Sequence, residues 1–374
     1  MPLQTALTDR SPEGVSRVKF IEPVIMMDLH QFDPLRDPRW PEFLDTHPRA
    51  CVFHTAGWLE ALRRTYGYQP IGYTSSGPTE KIRNGVVFCR IDSWLTGQRM
   101  VSLPFSDHCE PLVSSHEELE FFVQRLQAEL KPQHCAYLEV RPVNGSFDQK
   151  GEPCGFRPAR RYRLHSIDLR PELDQIRRSF DKDSVLRRIG RAERAGLIEK
   201  HGRSQDLLKD FYGLVVRTRA RHDLPPQPYE WFQNLIDCLG DTLTIRLAYK
   251  DATPVAAVLT LRFRDSVFFK YGASDARYKN LGATPLLLWM AIKESKSTGA
   301  KEFSLGRSDE ANAGLITFKN HWARSTPLVY WRYPGPVCLE SRESWRVDMV
   351  KRVFGIMPKP VLAAMGRLIY RHIG

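Results

Sequence analysis

One order of local signals occurs twice along this chain, and it restricts the fold more than any other feature. Residues 86–92 and 100–105 read as strands joined by a turn at 96–97. A polar loop follows, then a helix opened by a capping-box pair, Ser115 and Glu118. Leu119, Phe122, Val123, Leu126 and Leu130 recur at helical spacing along one face, and Pro132 stops the helix. A strand at 136–140 ends the set. In the second half, 254–264 and 266–273 read as paired strands, and Thr284 caps a helix with Pro285 at its first position. That helix ends at Gly299, and 302–306 is the closing strand. The loops also correspond, Phe105-Ser106-Asp107 against Ala273-Ser274-Asp275. Asp107 precedes Tyr137 by 30 residues and Asp275 precedes Phe303 by 28. The order and spacing predict a duplicated α/β unit, each with a mixed sheet flanked by helices.

A length of 374 residues suits two such domains. The expected division is a lead-in at 1–50, a first domain at 51–165, a second at 166–335 and a tail at 336–374. Further helices are expected at 56–66, 183–195 (DSVLRRIGRAERA), 207–221, 229–239 and 313–322, and further strands at 166–169 and 328–333. DLPPQP at 223–228 interrupts the helical stretch.

The net charge of +12 is concentrated in two places. Residues 157–221 hold 18 Lys/Arg against 9 Asp/Glu, and 340–374 hold 7 against 3. Such patches fit anionic partners (RNA, a nucleotide-bearing donor, an acidic lipid surface) or simply solvated helix faces. Seven cysteines stand singly, with no CxxC pair, which argues for reduced thiols in a cytoplasm and against a zinc site or any metal. The N-terminus lacks a signal peptide's apolar core, and no run reaches the roughly 18 apolar residues of a membrane span.

The loop before the second buried helix, FKYGASDARYKNLGATPLLLW (269–289), carries the first chemical argument. Free N–H groups at a helix mouth and the helix dipole favour a phosphate or a developing oxyanion. Gly282 and Ala283 leave room for a ligand to approach the backbone; a plain tight connection would explain them equally well.

The segment Arg277-Tyr-Lys-Asn280-Leu-Gly282 resembles the cofactor loop of the GNAT acyltransferase superfamily, [Q/R]-x-x-G-x-[G/A], with Asn280 in place of the first Gly. Asparagine tolerates the left-handed conformation better than most residues. From about residue 53 to 333 the chain resembles the FemAB-like branch, with two GNAT-like domains in tandem. The likeness rests on SLPFSDHCEPL (102–112), YGASD (271–275), GATPLLLW (282–289), GAKEFSLGR (299–307) and GLITFKNHW (314–322). It implies N- or O-acyl transfer by direct attack, since no GxSxG elbow is present. It implies acyl-CoA or aminoacyl-tRNA as donor, with Arg277, Asn280, Gly282, Ala283 and Thr284 at the donor. The acceptor it implies is an amine or hydroxyl of a cell-envelope or exopolysaccharide precursor. Bridge-building members use aminoacyl-tRNA and carry a long coiled-coil arm, which this chain lacks; the tail MPKPVLAAMGRLIYRHIG (357–374) is closer to exopolysaccharide-associated relatives. Arg187, Arg188, Arg191 and Arg194 would suit tRNA.

Asp107 and His108 are a carboxylate–imidazole pair able to take a proton from the acceptor or orient it, or else ordinary turn residues. Tyr271, Ser274 and Asp275 hold the matching place in the second copy, as substrate-binding candidates or as strand packing. By resemblance, Lys319 sits in the family's F-K motif near the cleft and Arg307 lines it; a solvated lysine is the plain alternative. Trp322, Tyr330, Trp331 and Tyr333 read as core. The tail is amphipathic: its helices dock on the domain, or they lie on an anionic bilayer at the inner face of the membrane, each basic residue adding about 1 kcal/mol. A non-catalytic module binding a lipid-linked glycan or a membrane surface is the remaining alternative.

Overall fold

The structure, a computed structural model, describes residues 28–94, 97–130, 135–143, 155–335, 366 and 369–372. Both copies of the repeat are present. The first runs β3 (Val86–Ser93), β4 (Gly97–Val101), α3 (His116–Leu130), β5 (Tyr137–Val140). The second runs β9 (Thr253–Phe263), β10 (Ser266–Ser274), α8 (Ala283–Ser297), β11 (Glu302–Asp309). In each, a hairpin is followed by a helix that returns the chain to a parallel neighbour: β4 pairs with β5 and β10 with β11.

The two sheets are not separate. They fuse into one of twelve strands among the described residues, ordered β1-β2-β3-β4-β5-β12-β6-β11-β10-β9-β8-β7. Here β1 is His30–Phe32, β2 Gln69–Thr74, β6 Arg157–Asp168, β7 Ile198–Gly202, β8 Leu243–Lys250 and β12 Arg324–Pro334. The junction is a reciprocal exchange. Strand β6, which follows the first copy in the chain, pairs with β11 of the second; β12, which follows the second, pairs with β5 of the first. Strands β6 and β12 then pair with each other down the middle. The expected strand at 166–169 is thus the end of a strand of 12 residues whose arginine-rich first half hides its β pattern.

Helices cover both faces. On one, α1 (Arg39–Thr46), α2 (Ala56–Tyr66), α6 (Gln205–Arg221) and α7 (Tyr229–Leu239) share a core spanning both copies, with Trp58, Leu62, Phe211 and Trp231 against Val87, Cys89, Leu247 and Leu259. The opposite face has two cores. Helix α3 covers Phe88, Met100 and Leu138; α8 and α5 (Arg187–Arg194) cover Val255, Val258 and Phe303. Alternate residues of β3 enter different cores, as strand geometry requires. Between β6 and α5 lies a short helix, α4 (Leu173–Arg178); α9 is Ala313–Asn320.

The local signals act as expected at several ends. Ser115 accepts from the Glu118 N–H at the start of α3. Helix α8, however, begins two residues earlier than expected: Gly282, not Thr284, is its N-cap, with φ +77°. Asn280 does not have positive φ; the left-handed position is Gly282. A Cβ on Gly282 would lie 2.2 Å from the carbonyl oxygen of Arg188 on α5. Gly282→Ala therefore combines backbone strain of about 1–3 kcal/mol with a backbone clash. The expected result is a loss of at least that much stability, read from urea midpoints; an unchanged midpoint would show that α5 can move away freely.

The described end of the tail docks on the body. The Tyr68 hydroxyl donates to the Tyr370 carbonyl (2.7 Å), the Tyr370 hydroxyl donates to the Pro225 carbonyl (2.9 Å), and Arg99 donates to the His372 carbonyl (2.8 Å). The first amphipathic segment of the tail, 345–357, lies outside the described residues.

Candidate active site

Strands β10 and β11 pair over only three rungs, from Ser266↔Glu302 to Phe268↔Ser304. Both continue, β10 to Ser274 and β11 to Asp309, so they diverge into an open V. A bulge sits at each point of divergence. Lys270 is the unpaired residue between Phe269 and Tyr271, and Leu305 is the unpaired residue between Ser304 and Gly306. Bulges re-aim side chains, and here they turn Lys270 and Arg307 toward a common centre.

The centre is Asp107, contributed by the first copy. Its carboxylate is 3.2 Å from Lys270 Nζ and 3.9 Å from Arg307 Nε. A Cβ on Gly306 (φ +71°) would lie 3.2–3.4 Å from the same carboxylate. Asp107 therefore touches both arms of the V beyond their last shared rung. The loop that holds it is fixed at two points. The Tyr330 hydroxyl donates to the Asp107 carbonyl at 2.7 Å. Phe105, at φ +58°, is boxed by the rings of Tyr66, Tyr68, Trp231 and Tyr370. A bulky residue in that conformation persists only where packing over-determines it.

Lys319 on α9 is 5 % exposed and donates to the carbonyls of Gly306 (3.2 Å) and Arg307 (2.8 Å). An ammonium has three donors, so one remains. Desolvation, together with the charges of Lys270 and Arg307, pushes its pKa down to about 8 against the pull of Asp107. Lys270 is lowered by burial in the same way. Burial alone would raise the Asp107 carboxyl; Lys270, Arg307 and Lys319 together outweigh it and hold it below its ordinary value. Arg307 lies over two rings, 4.3 Å from Tyr162 and 5.1 Å from Tyr330, and Arg141 covers Tyr330 from 4.7 Å. The half-buried His108 packs edge-on against Phe53, and its Nδ1 is buried without a partner. Burial drives its pKa to about 4, so the ring is neutral at pH 7. His165, opposite Gly306 on β6, is buried and neutral for the same reason, its pKa also near 4.

The fold thus brings Asp107, His108, Arg307 and Lys319 together. The other candidates serve the neighbouring loop. Asp275, unlike its counterpart Asp107, stays within its own copy: it accepts the Arg277 N–H and pairs with the guanidinium groups of Arg277 (2.7 Å) and Arg217 (3.0 Å). The backbone of Ser274 is gripped by Thr218 of α6, and the Tyr271 hydroxyl accepts from Trp231 at 2.9 Å. Arg277 through Leu281 lie in one short helical turn that leads into Gly282, Ala283 and Thr284 at the mouth of α8. The first N–H groups of that helix have no intrahelical partner. Arg188 fills the space beside Gly282 and Arg191 donates to the Asn280 carbonyl (3.1 Å). A phosphate at this helix end must therefore lie on the side away from α5.

Sequence reasoning missed Lys270, Tyr162 and the site role of Tyr330. The signal for Lys270 was available in principle: a lone lysine inside FFKYGA, a strand that is otherwise apolar.

Residues 181–320 match the family model described as an acetyltransferase (GNAT) domain. No curated protein matches the sequence significantly. Among solved structures, that of FemX superposes with a TM-score of 0.66 at 12% identity, covering 86% of this chain and 100% of the other. A tandem GNAT protein from the clavulanic acid biosynthesis pathway gives 0.51 at 10% identity, covering 83% and 100%. The C-terminal domain of an Agrobacterium fabrum protein described as a lysylphosphatidylglycerol synthetase gives 0.51 at 13% identity, covering 78% and 90%. The fold is the tandem GNAT-like fold that the resemblance implied.

Proposed function

We propose that this chain, a GNAT-superfamily protein with a FemX-like tandem fold, transfers an acyl group to an amine or hydroxyl by direct attack. The observation that carries this reading is Asp107 of the first copy standing in the open V of the second, ringed by Lys270, Arg307 and Lys319. The donor's carbonyl lies in the V, its oxygen toward the remaining N–H of Lys319. As the nucleophile attacks, negative charge collects on that oxygen, and the buried ammonium meets it without reorganising. Asp107, ionised throughout the physiological range, orients the nucleophile. His108, neutral at pH 7, keeps one ring nitrogen free to accept its proton. The tetrahedral adduct then expels the thiolate or alkoxide of the donor.

GNAT domains generally take acyl-CoA-type donors, and the α8 mouth supports one. Aminoacyl-tRNA is the second reading, favoured by exposed Arg187, Arg188, Arg191 and Arg194 beside the donor loop. A cell-envelope or exopolysaccharide precursor is the proposed acceptor class, resting on the family likeness alone. The proposed membrane contact of the tail rests on its segments outside the described residues, since Ile369 and Tyr370 are engaged with the body. Among the described residues no helix is long and apolar enough to cross a membrane.

The test is a matrix of labelled acyl-CoA and aminoacyl-tRNA donors against amino-sugar and hydroxyl acceptors, followed by mass spectrometry of the products. A product that grows with time and needs both substrates is expected; none from any pair would remove the enzymatic reading and favour a binding module. The pH profile gives an independent check. With Lys319 acting as an ammonium, kcat should fall as pH rises through about 8. Lys319→Arg should remove that limb, because a guanidinium stays charged. Activity rising through the same pH would mean the neutral amine is the working form.

A further inference from the structure

We infer that Arg307, with Arg160 beside it, forms a subsite for an acid group carried by the substrate, a carboxylate or a phosphate, next to the reacting centre. This rests on the acyl-transfer reading for its position but not for its test.

The argument starts from charge. The cluster holds three cations, Lys270, Arg307 and Lys319, against one carboxylate, Asp107. Lys270 and Asp107 satisfy each other at 3.2 Å, with side chains 7% and 12% exposed. Lys319 spends two donors on backbone carbonyls. Arg307 has only a long ionic contact with Asp107, 3.9 Å through Nε, beside a side-chain hydrogen bond with the neutral Tyr162. The two Nη groups, which form the fork that binds oxyanions two-handed, lie outside that ionic contact. Uncompensated buried charge is costly, and an incoming anion is the direct compensation.

Geometry places the anion. The tyrosine rings of Tyr162 and Tyr330 fix the guanidinium plane, so little rotamer freedom is lost on binding. The Arg307 side chain keeps 29% of its surface exposed, so a solute can reach it. Arg160 pairs with Tyr330 across β6 and β12, and Tyr162 lies two residues further along β6. Residues opposite or two apart in a sheet share a face, so Arg160 stands on the same face as Tyr162, Tyr330 and Arg307. Strand β11 ends its pairing with β6 at Asp309↔Tyr162, which leaves Arg160 on an overhang, exposed. Asp309, opposite Tyr162 on the neighbouring strand, accepts the Ala311 N–H of its own loop.

The test is equilibrium binding of two probes without any acyl donor: inorganic phosphate and malonate, each by titration calorimetry and by the rise in Tm. Wild-type protein is expected to bind at least one; the tighter identifies the class of acid group. Arg307→Gln should weaken binding at least tenfold and Arg160→Gln about threefold, whereas Lys319→Gln should change it less than threefold. Should Arg307→Gln not fold, Arg307→Lys keeps the charge, loses the fork, and should still weaken binding tenfold. Binding of neither anion by wild type, or undiminished binding by the Arg307 variants, overturns the proposal. Turnover without anion binding would sink this subsite alone; anion binding without turnover would sink only the acyl-transfer reading.

Discussion

Lys319→Ala is expected to lower kcat by roughly 10²–10³-fold and to leave the protein folded. That factor is what one preorganised donor to a developing oxyanion typically supplies. The geometry favours the upper part of the range. Two of the three N–H groups are held by the carbonyls of Gly306 and Arg307, so the third has one direction. Those carbonyls belong to the bulged arm of the V, so the donor is fixed to the wall of the cleft it serves. The stability effect should be small. Losing the ammonium leaves two carbonyls without this donor, a cost of up to about 1–3 kcal/mol each, but it also removes a charge that burial and two neighbouring cations oppose, which offsets it. The measurements are kcat for the best donor–acceptor pair and the urea midpoint. Wild-type kcat would mean that Lys319 only braces β11. A collapsed midpoint with no folded protein would mean that its role is structural.

The site also gives the duplication a physical meaning. Two equivalent loops, 105–107 and 273–275, have gone different ways. Asp275 caps its own turn and ties down Arg277 and Arg217. Asp107 crosses to the other copy. The crossing is possible because β6 and β12 are exchanged, which seats the first copy's loop against β11 and lets Tyr330 of β12 hold it from beneath. One copy thus supplies the V and the other fills its throat.

How much of this was legible can be traced residue by residue. The repeat was, because hairpin, capped helix and strand leave periodic marks: the α2 bounds and the Ser115 cap follow from local signals alone. The strand exchange was not. No local property of 157–161 tells which neighbour it pairs with, and a strand carrying Arg157, Arg160 and Arg161 lacks the apolar alternation that would announce it. Asp107 and Lys319 were legible as residue types in place. Their convergence was not; Lys270 stood out as a lone lysine in an apolar strand, but its direction was hidden, because a bulge decides which way a side chain points and the sequence marks no bulge here. The same limit applies to Asp275, whose sequence neighbourhood copies that of Asp107 while its partners do not.

Asp107→Asn should separate what this carboxylate does for stability from what it does for chemistry. The single change leaves three cations with no anion among them. Breaking a buried pair by removing one partner typically costs about 3–5 kcal/mol, and at least a tenfold loss of turnover should accompany it. The pH dependence has a definite sign. The Asp107 carboxyl is held below its ordinary value in the folded state, so its stabilisation is present above the unfolded-state pKa, near 4. It is lost as pH falls through the folded-state value, and the Asn variant should lack that acid-side slope. Lys270→Met added to Asp107→Asn returns the cluster to two excess positive charges, as in the wild type, with an apolar side chain among Phe53, Trp58 and Tyr271 where the ammonium stood. The double variant should regain most of the lost stability, since an uncharged replacement of a buried pair is often neutral or better. It should not regain turnover, because nothing is left in the throat of the V to orient the nucleophile. Recovery of both together would make Asp107 no more than the counter-ion of Lys270.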